Sequence, residues 1–372
     1  MANNSSGPIA CKDHDAVHHL NLVWHSGVLV LALPLNLTAL GIFVCVFRLR
    51  TVVTVYMANL AACDLLFTLA LPLRLFYYAT HSWPLGNLPC QLAGSLFQIN
   101  LYGSCLFLAC INVDRFLALA YPLRARHLRR PRMAWQVCTA VWVLIILGSI
   151  PVALAHDTSR CLDVNGAVEV RCFESFSLRA WKNELLPLLG LAEILGFLLP
   201  LTVVLWCSAR TLGALWHAGS SPTQRRRRTI KLLLVNAVIF IVCFVPYNLV
   251  LAAYGLVKAK VVPASLASRD SLRLALQLTM LLTCTNCCLD PLVYYFSAEG
   301  FRNTLRSRRG RPSALTTRTG LRGIVAGDEA GDPLAPKAMH SLVPEAAPGR
   351  ERMGEGQGQC SQRSEERRES VI

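Results

Sequence analysis

The chain has 372 residues, of which 53% are hydrophobic and only 16% charged, with a formal net charge of +15. A soluble domain carries about 25% charged residues, so the balance points to a membrane. The 15 cysteines are scattered instead of paired as CxxC, which argues against a zinc site. Most lie in apolar runs, where cysteine acts as a small hydrophobe.

The opening "MANNSSGPIACKDHD" is polar and has no short apolar core of a secretory signal. Asn3 and Asn4 each begin an N-x-[ST] sequon and are glycosylation candidates. Seven apolar segments of spanning length follow, near 24–47, 53–78, 91–120, 134–155, 185–212, 230–256 and 272–296. The expected fold is an all-α membrane protein, a seven-transmembrane helix bundle over 24–296, preceded by an N-terminal segment, 1–23. Six spans carry a proline: Pro34, Pro72, Pro151, Pro200, Pro246 and Pro291. Bundled membrane helices tolerate these because neighbours satisfy the freed carbonyls. Asn36 also begins a sequon, but inside span one, out of reach of glycosylation.

The connections are biased in charge. "RLR" (48–50), "RARHLRRPR" (124–132), "QRRRR" (224–228) and the start of the tail are basic, whereas the other side is mixed. The positive-inside rule makes the basic side cytoplasmic, with the N-terminus outside and the C-terminus inside. The positive charge is thereby explained by topology and attraction to anionic lipid, with no need of nucleic acid. Cys11, Cys90, Cys161 and Cys172 then face an oxidising compartment, where four cysteines allow three connectivities. Pairing Cys90 with Cys172 pins the second outer loop across the bundle mouth, and leaves Cys11 for Cys161.

Polar residues inside spans are functional candidates by default. Asp64 lies in span two. Asn100 and Ser104 are four apart in span three, as are Asn286 and Asp290 in span seven, so each pair shares a helix face. Two carboxylates, two amides and a hydroxyl make an oxygen-rich site for a cation or water cluster, or a hydrogen-bonded packing network; spacing leaves both open. Asp114 and Arg115 adjoin at the inner end of span three. Glu193 is an acid in span five, either partnered by a cation across the bundle or meeting a polar ligand group.

Taken together, Asn36 in "LPLNLTAL", Asp64 in "NLAACDLL", Cys90, "DRF" at 114–116, Trp142, Pro200 in "FLLPL", "CFVPY" at 243–247 and "DPLVY" at 290–294 resemble the rhodopsin-like (class A) G-protein-coupled receptors. The resemblance covers about residues 20–308. It implies that Asp114 holds Arg115 at rest and releases it to the G protein as span six swings outward. Phe244 and Pro246 would then form the hinge that reads the ligand, and Tyr294 would rotate inward. It also implies a sodium site on Asp64, Asn100, Ser104, Asn286 and Asp290. Residues 297–308 look like the short amphipathic eighth helix, with Phe301 and Leu305 four apart.

The chain departs from the pattern at several points. Phe244 stands where the family has tryptophan, Phe116 ends the "DRF" triplet, and Ser208 replaces a tyrosine of span five. Arg226 occupies a position where some relatives carry an acid that locks onto Arg115. Asp290 replaces the commoner asparagine, a variant of the purinergic-like branch.

Cys284 stands where an opsin has its retinal lysine, and Phe97 where amine receptors have their aspartate, which disfavours both classes. The mouth offers Arg74, Lys258, Lys260, Arg269 and Arg273, with His156, Arg160 and Arg171 in the loop; Arg160, Arg171 and Lys260 read as solvated. The expected pocket below is apolar: Leu71, Leu75, Phe97, Leu101, Leu189 and Phe197. A cationic mouth over an apolar interior fits a phosphate head and a lipid tail. Longer matches such as "VYMANLAACDLLFTLALPLRLFYY" and "DPLVYYFSAEGFRNTLR" resemble the lysophospholipid receptors of that branch. They imply lysophosphatidic acid as ligand, Gq and G12/13 types as partners, and Arg74, Lys258 and Arg273 as the phosphate grip.

Arg74 has a competing role. Ten residues past Asp64, it lies about 15 Å further along the helix, near the bilayer edge, where it can snorkel outward. The resemblance tips it to phosphate anchor. A nucleotide receptor of the same branch is the alternative, and it would want a more polar pocket. A transporter is disfavoured, because no internal repeat is seen. From 309 to 372 the chain loses apolar periodicity and reads as a disordered tail. Thr316, Thr317 and Thr319 are candidate phosphosites for arrestin, and Ser370 with Ile372 form a PDZ-type ending.

Overall fold

The computed structural model describes residues 15–121, 123–155, 158–162, 168–172, 186–216 and 224–297. Asn3, Asn4, Cys11, His156, the eighth helix beyond Ser297, and the tail with Ser370 and Ile372 lie outside these residues, as does the side chain of Arg226. Among the described residues, seven helices are long and apolar enough to cross a membrane: Ala16–Val46, Val52–Thr80, Asn87–Ala120, Pro131–Leu154, Leu186–Gly213, Arg227–Lys258 and Leu266–Tyr295. They are called spans one to seven.

Spans two to six match the expected segments to within four residues, and span seven begins six residues early, at Leu266. Span one differs: its helix starts at Asp15, within the segment expected to precede the bundle. The polar run His18, His19 and Asn21 hid this turn from a hydropathy window. The turn is stabilised by packing, because the His18 ring stands 5.6 Å from those of Tyr77 and Tyr78 on span two and stacks on His81 at 4.4 Å. Span two begins with a capping box in which Thr51 and Thr54 satisfy each other's backbone N–H groups.

Three spans contain a π-helical stretch: Ile42–Val46, Glu193–Leu198 and Phe240–Phe244. The second and third each precede a proline, Pro200 and Pro246. Proline cannot donate to the carbonyl four residues back, and a widened turn accommodates that loss. Span seven breaks at Thr285, between the helices Leu266–Cys284 and Asn286–Ser297. Its Pro291 leaves the Cys287 carbonyl unmet from within the helix, and Asn36 Nδ2 of span one donates to that carbonyl at 2.9 Å. Trp142 Nε1 donates to Asn59 Oδ1 at 2.8 Å and ties span four to span two.

At one end, strands β1 (Ser159–Leu162) and β2 (Val168–Arg171) form an antiparallel hairpin, with Ser159 opposite Arg171 and Cys161 opposite Glu169. The Cys90–Cys172 disulfide joins it to the start of span three, and the Trp83 N–H donates to the Val170 carbonyl at 2.8 Å. Tyr77, Tyr78, Trp83 and the disulfide form a small apolar cluster beneath. Cys161 is also disulfide-bonded; every other described cysteine is a free thiol, so its partner lies outside the described residues.

Replacing Cys172 by serine should unpin the hairpin from span three. The expected result is a lower thermal midpoint for the purified protein and weaker ligand binding, measured by a thermal-shift assay and radioligand saturation.

Candidate functional site

Span two decides the fate of Arg74. Leu69 is 66% exposed and Phe76 is also exposed, so that face meets lipid, while Leu71, Arg74, Tyr77 and Tyr78 turn inward. Arg74 is 3% exposed and does not snorkel. Its Nη2 donates to the Ala93 carbonyl of span three at 3.2 Å, and its guanidinium carbon lies 5.4 Å from the centre of the Phe97 ring. Such a placement combines a backbone hydrogen bond with a cation–π contact.

A cavity of about 320 Å³ opens beside it. Arg74, Lys258 and Arg273 line it from spans two, six and seven, and Phe97 and Leu189 line it as expected. Lys258 Nζ also sits 5.4 Å from the Tyr254 ring centre. Leu71, Leu101 and Phe197 belong to the packed core instead, because their helix faces point at neighbouring spans. The structure adds Gln98, Tyr102, Tyr247 and Gln277 to the lining. Gly94, Gln98, Tyr102 and Leu106 recur every four residues on span three, a periodicity visible in the chain once the lining face is known. Arg171 corrects a second expectation. It is 2% exposed and pairs with Glu169 Oε2 at 3.1 Å, because strand pairing folds it under the hairpin.

The far wall is apolar, with Leu144, Gly148 and Val152 of span four facing Leu188, Leu191 and Leu195 of span five. Leu144, Gly148 and Leu191 are exposed as well as lining the cavity. Gly196 lets span five approach Tyr102: a Cβ there would stand 2.5 Å from the Tyr102 ring.

Deeper in the bundle, Asp64, Asn100, Ser104, Asn286 and Asp290 are all fully or almost fully buried. Asn100 Nδ2 donates to Asp64 Oδ1 at 2.9 Å and reaches Ser104 Oγ at 3.5 Å. Asp64 Oδ2 and both Asp290 carboxyl oxygens are buried without a hydrogen-bond partner among the described residues. Two neighbouring carboxyls repel when both are charged. Unmet oxygens from two carboxyls beside a hydroxyl are a donor set that fits a hard cation.

Beside this cluster run the expected switch residues. Phe244 is buried edge-on to Phe240 at 5.2 Å, and Phe240 stacks on Phe197 at 6.2 Å. Pro246 follows in the same span, and Thr283 Oγ1 of span seven donates to the Cys243 carbonyl at 2.7 Å. Tyr294 is buried, and its hydroxyl donates to Asn36 Oδ1 at 3.4 Å.

At the end opposite the hairpin, Asp114 pairs with Arg115 at 2.9 Å as expected. It also pairs with Arg129 Nε at 2.8 Å, which the sequence did not single out. Arg129 lies in a basic run where nothing marks one arginine from the next.

Residues 35–294 match the model of the seven-transmembrane receptor family (rhodopsin family). The chain belongs to that family, as a multi-pass membrane receptor and not an enzyme. It is 55% identical over 312 residues to lysophosphatidic acid receptor 5 of Bos taurus, covering 83% of this chain and 85% of the relative. Identity to lysophosphatidic acid receptor 5 of Mus musculus is 55% over 303 residues, covering 82% and 81%. Human lysophosphatidic acid receptor 6 is 40% identical over 286 residues, covering 76% and 82%.

Gly196→Ala should force the Tyr102 ring aside. A destabilisation of about 1–3 kcal/mol is expected, read as a fall in the thermal midpoint of the ligand-free receptor.

Proposed function

We propose that the protein is a plasma-membrane receptor for lysophosphatidic acid that activates heterotrimeric G proteins, of the Gq and G12/13 types. In this assignment the hairpin end and N-terminus are extracellular, and the Asp114 end and C-terminus are cytoplasmic. One observation carries it: the same cavity is lined by a buried arginine, two further cations and an apolar wall built from spans four and five. A phosphate monoester meets Arg74, Lys258 and Arg273 through charge-assisted hydrogen bonds, and an acyl chain lies against Leu144, Val152, Leu188 and Leu195. Phe97 packs between head and tail. The similarity to receptors named for lysophosphatidic acid supports the same ligand.

The remaining sites follow from this role. Asp114 restrains Arg115 at rest, with Arg129 as a second counter-charge. Phe244 and Pro246 transmit ligand binding along span six, and Tyr294 leaves Asn36 on activation. The unmet oxygens of Asp64 and Asp290, with Asn100, Ser104 and Asn286, hold a sodium ion. Its charge would offset the two carboxyls and favour the resting arrangement.

Arg74→Ala should lower lysophosphatidic acid potency about ten- to a hundredfold, the range for losing a hydrogen bond to a charged group. Surface expression should be unchanged. The measurement is a calcium or RhoA response in receptor-null cells, with nucleotides run in parallel; a response to nucleotides alone would refute the assignment. Asp64→Asn should remove the difference in agonist affinity between sodium and choline buffers.

A further inference from the structure

Gln98 carries no role in the functions above. Its side chain lines the cavity from span three, is half-buried, and makes no hydrogen bond among the described residues. A primary amide brings two donor hydrogens and an acceptor oxygen. Held away from bulk water, these groups are stabilised only when something meets them.

Helix register fixes where this amide stands. Span three is one unbroken helix from Asn87 to Ala120, and it enters the bundle from the hairpin end. Near its start, the Ala93 carbonyl accepts from Arg74 Nη2, and the Phe97 ring faces the same guanidinium. Gln98 is five residues past Ala93, about 7.5 Å deeper along the axis, and about 100° around the helix from Phe97. That rotation takes it off the face that holds Arg74 and onto the face of Gly94, Tyr102 and Leu106, which lines the cavity. Tyr102, one turn deeper, packs against Gly196 of span five. Gln98 therefore stands where the cationic end of the cavity gives way to the apolar wall of spans four and five. The other glutamine of the lining, Gln277, is one turn from Arg273 on the same face of span seven and stays on the cationic side.

We propose that Gln98 sets a preference for glycerol lipids by accepting a hydrogen bond from the free hydroxyl of the ligand's glycerol. The proposal rests on the lysophospholipid assignment above. Lysophosphatidic acid carries one free hydroxyl, on the carbon next to the one that bears the phosphate. With the phosphate on Arg74 and the acyl chain against Leu188 and Leu195, the glycerol crosses the stretch of cavity that Gln98 faces. Its hydroxyl donates to the amide oxygen. A lipid with the same phosphate and chain but no such hydroxyl leaves that oxygen unmet.

The test pairs 1-oleoyl lysophosphatidic acid with its 2-deoxy analogue, the oleoyl ester of 3-hydroxypropyl phosphate, in competition binding on the full-length receptor in membranes. The two lipids differ only in the hydroxyl. On the wild-type receptor the analogue should bind about tenfold more weakly, the loss of one hydrogen bond. Gln98→Met keeps the length of the side chain and removes its amide. It should weaken lysophosphatidic acid about tenfold and leave the analogue within about twofold of its wild-type affinity, the non-additivity of two partners in contact. An equal loss for both lipids, or no loss for lysophosphatidic acid, overturns the proposal. Equal affinity of the two lipids for the wild-type receptor overturns it without any variant, so poor expression of Gln98→Met leaves the idea open to refutation. Wild-type receptor that binds neither lipid sinks the lysophospholipid assignment itself, a result distinct from loss of the Gln98 contact alone.

Discussion

A bilayer core offers no water, so each polar group within a span has to be met by the protein or by something it binds. The prolines show the rule at work. Pro291 frees the Cys287 carbonyl, and Asn36 donates to it from span one. Near Pro246, Thr283 donates across the bundle to the Cys243 carbonyl. These bonds close two spans that would otherwise carry open backbone into lipid, and they join spans one, six and seven where the switch residues sit. Asn36 is therefore committed to the core, and its sequon is sealed.

The same constraint sorts the charges. Arg74, buried at the cavity, donates to a carbonyl and stands over an aromatic face. Asp114 is met by two arginines. Among the described residues, Asp64, Asp290 and Glu193 retain buried oxygens without a hydrogen-bond donor. Where the protein satisfies its own polar groups, it is building structure. Where it leaves carboxyl oxygens open between helices, as at Asp64 and Asp290, it has room for a cation. Ligand chemistry is written in these unmet groups more than in the apolar walls, which many lipids would suit equally.

Much of this was legible in the chain. The spans stand out because hydrophobic length is a local property, and span one ran past its expected start only because His18, His19 and Asn21 lower the hydropathy of a turn that tertiary packing supports. The mid-bundle cluster and the Asp114–Arg115 pair were visible as polar residues at helical spacing. Other members of the sites were not. Arg129 resembles its neighbours in a basic run until the loop folds it onto Asp114. Arg171 reads as a loop cation until strand pairing buries it. Leu71, Leu101 and Phe197 read as pocket wall in the chain because apolar residues near a mouth look alike, whereas Tyr102, Tyr247 and the two glutamines line it instead.

By itself the sequence determined that seven helices cross a membrane, which polar residues lie within them, and that the chain resembles a receptor family. Span length, charge bias and motif are each carried by residues close in the chain. Only the tertiary structure decided that Arg74 points inward and that Arg129 shares Asp114. Those outcomes depend on how each helix is rotated about its axis. Packing sets that rotation, and the π-helical stretches shift it by fractions of a turn, a displacement that no local pattern encodes.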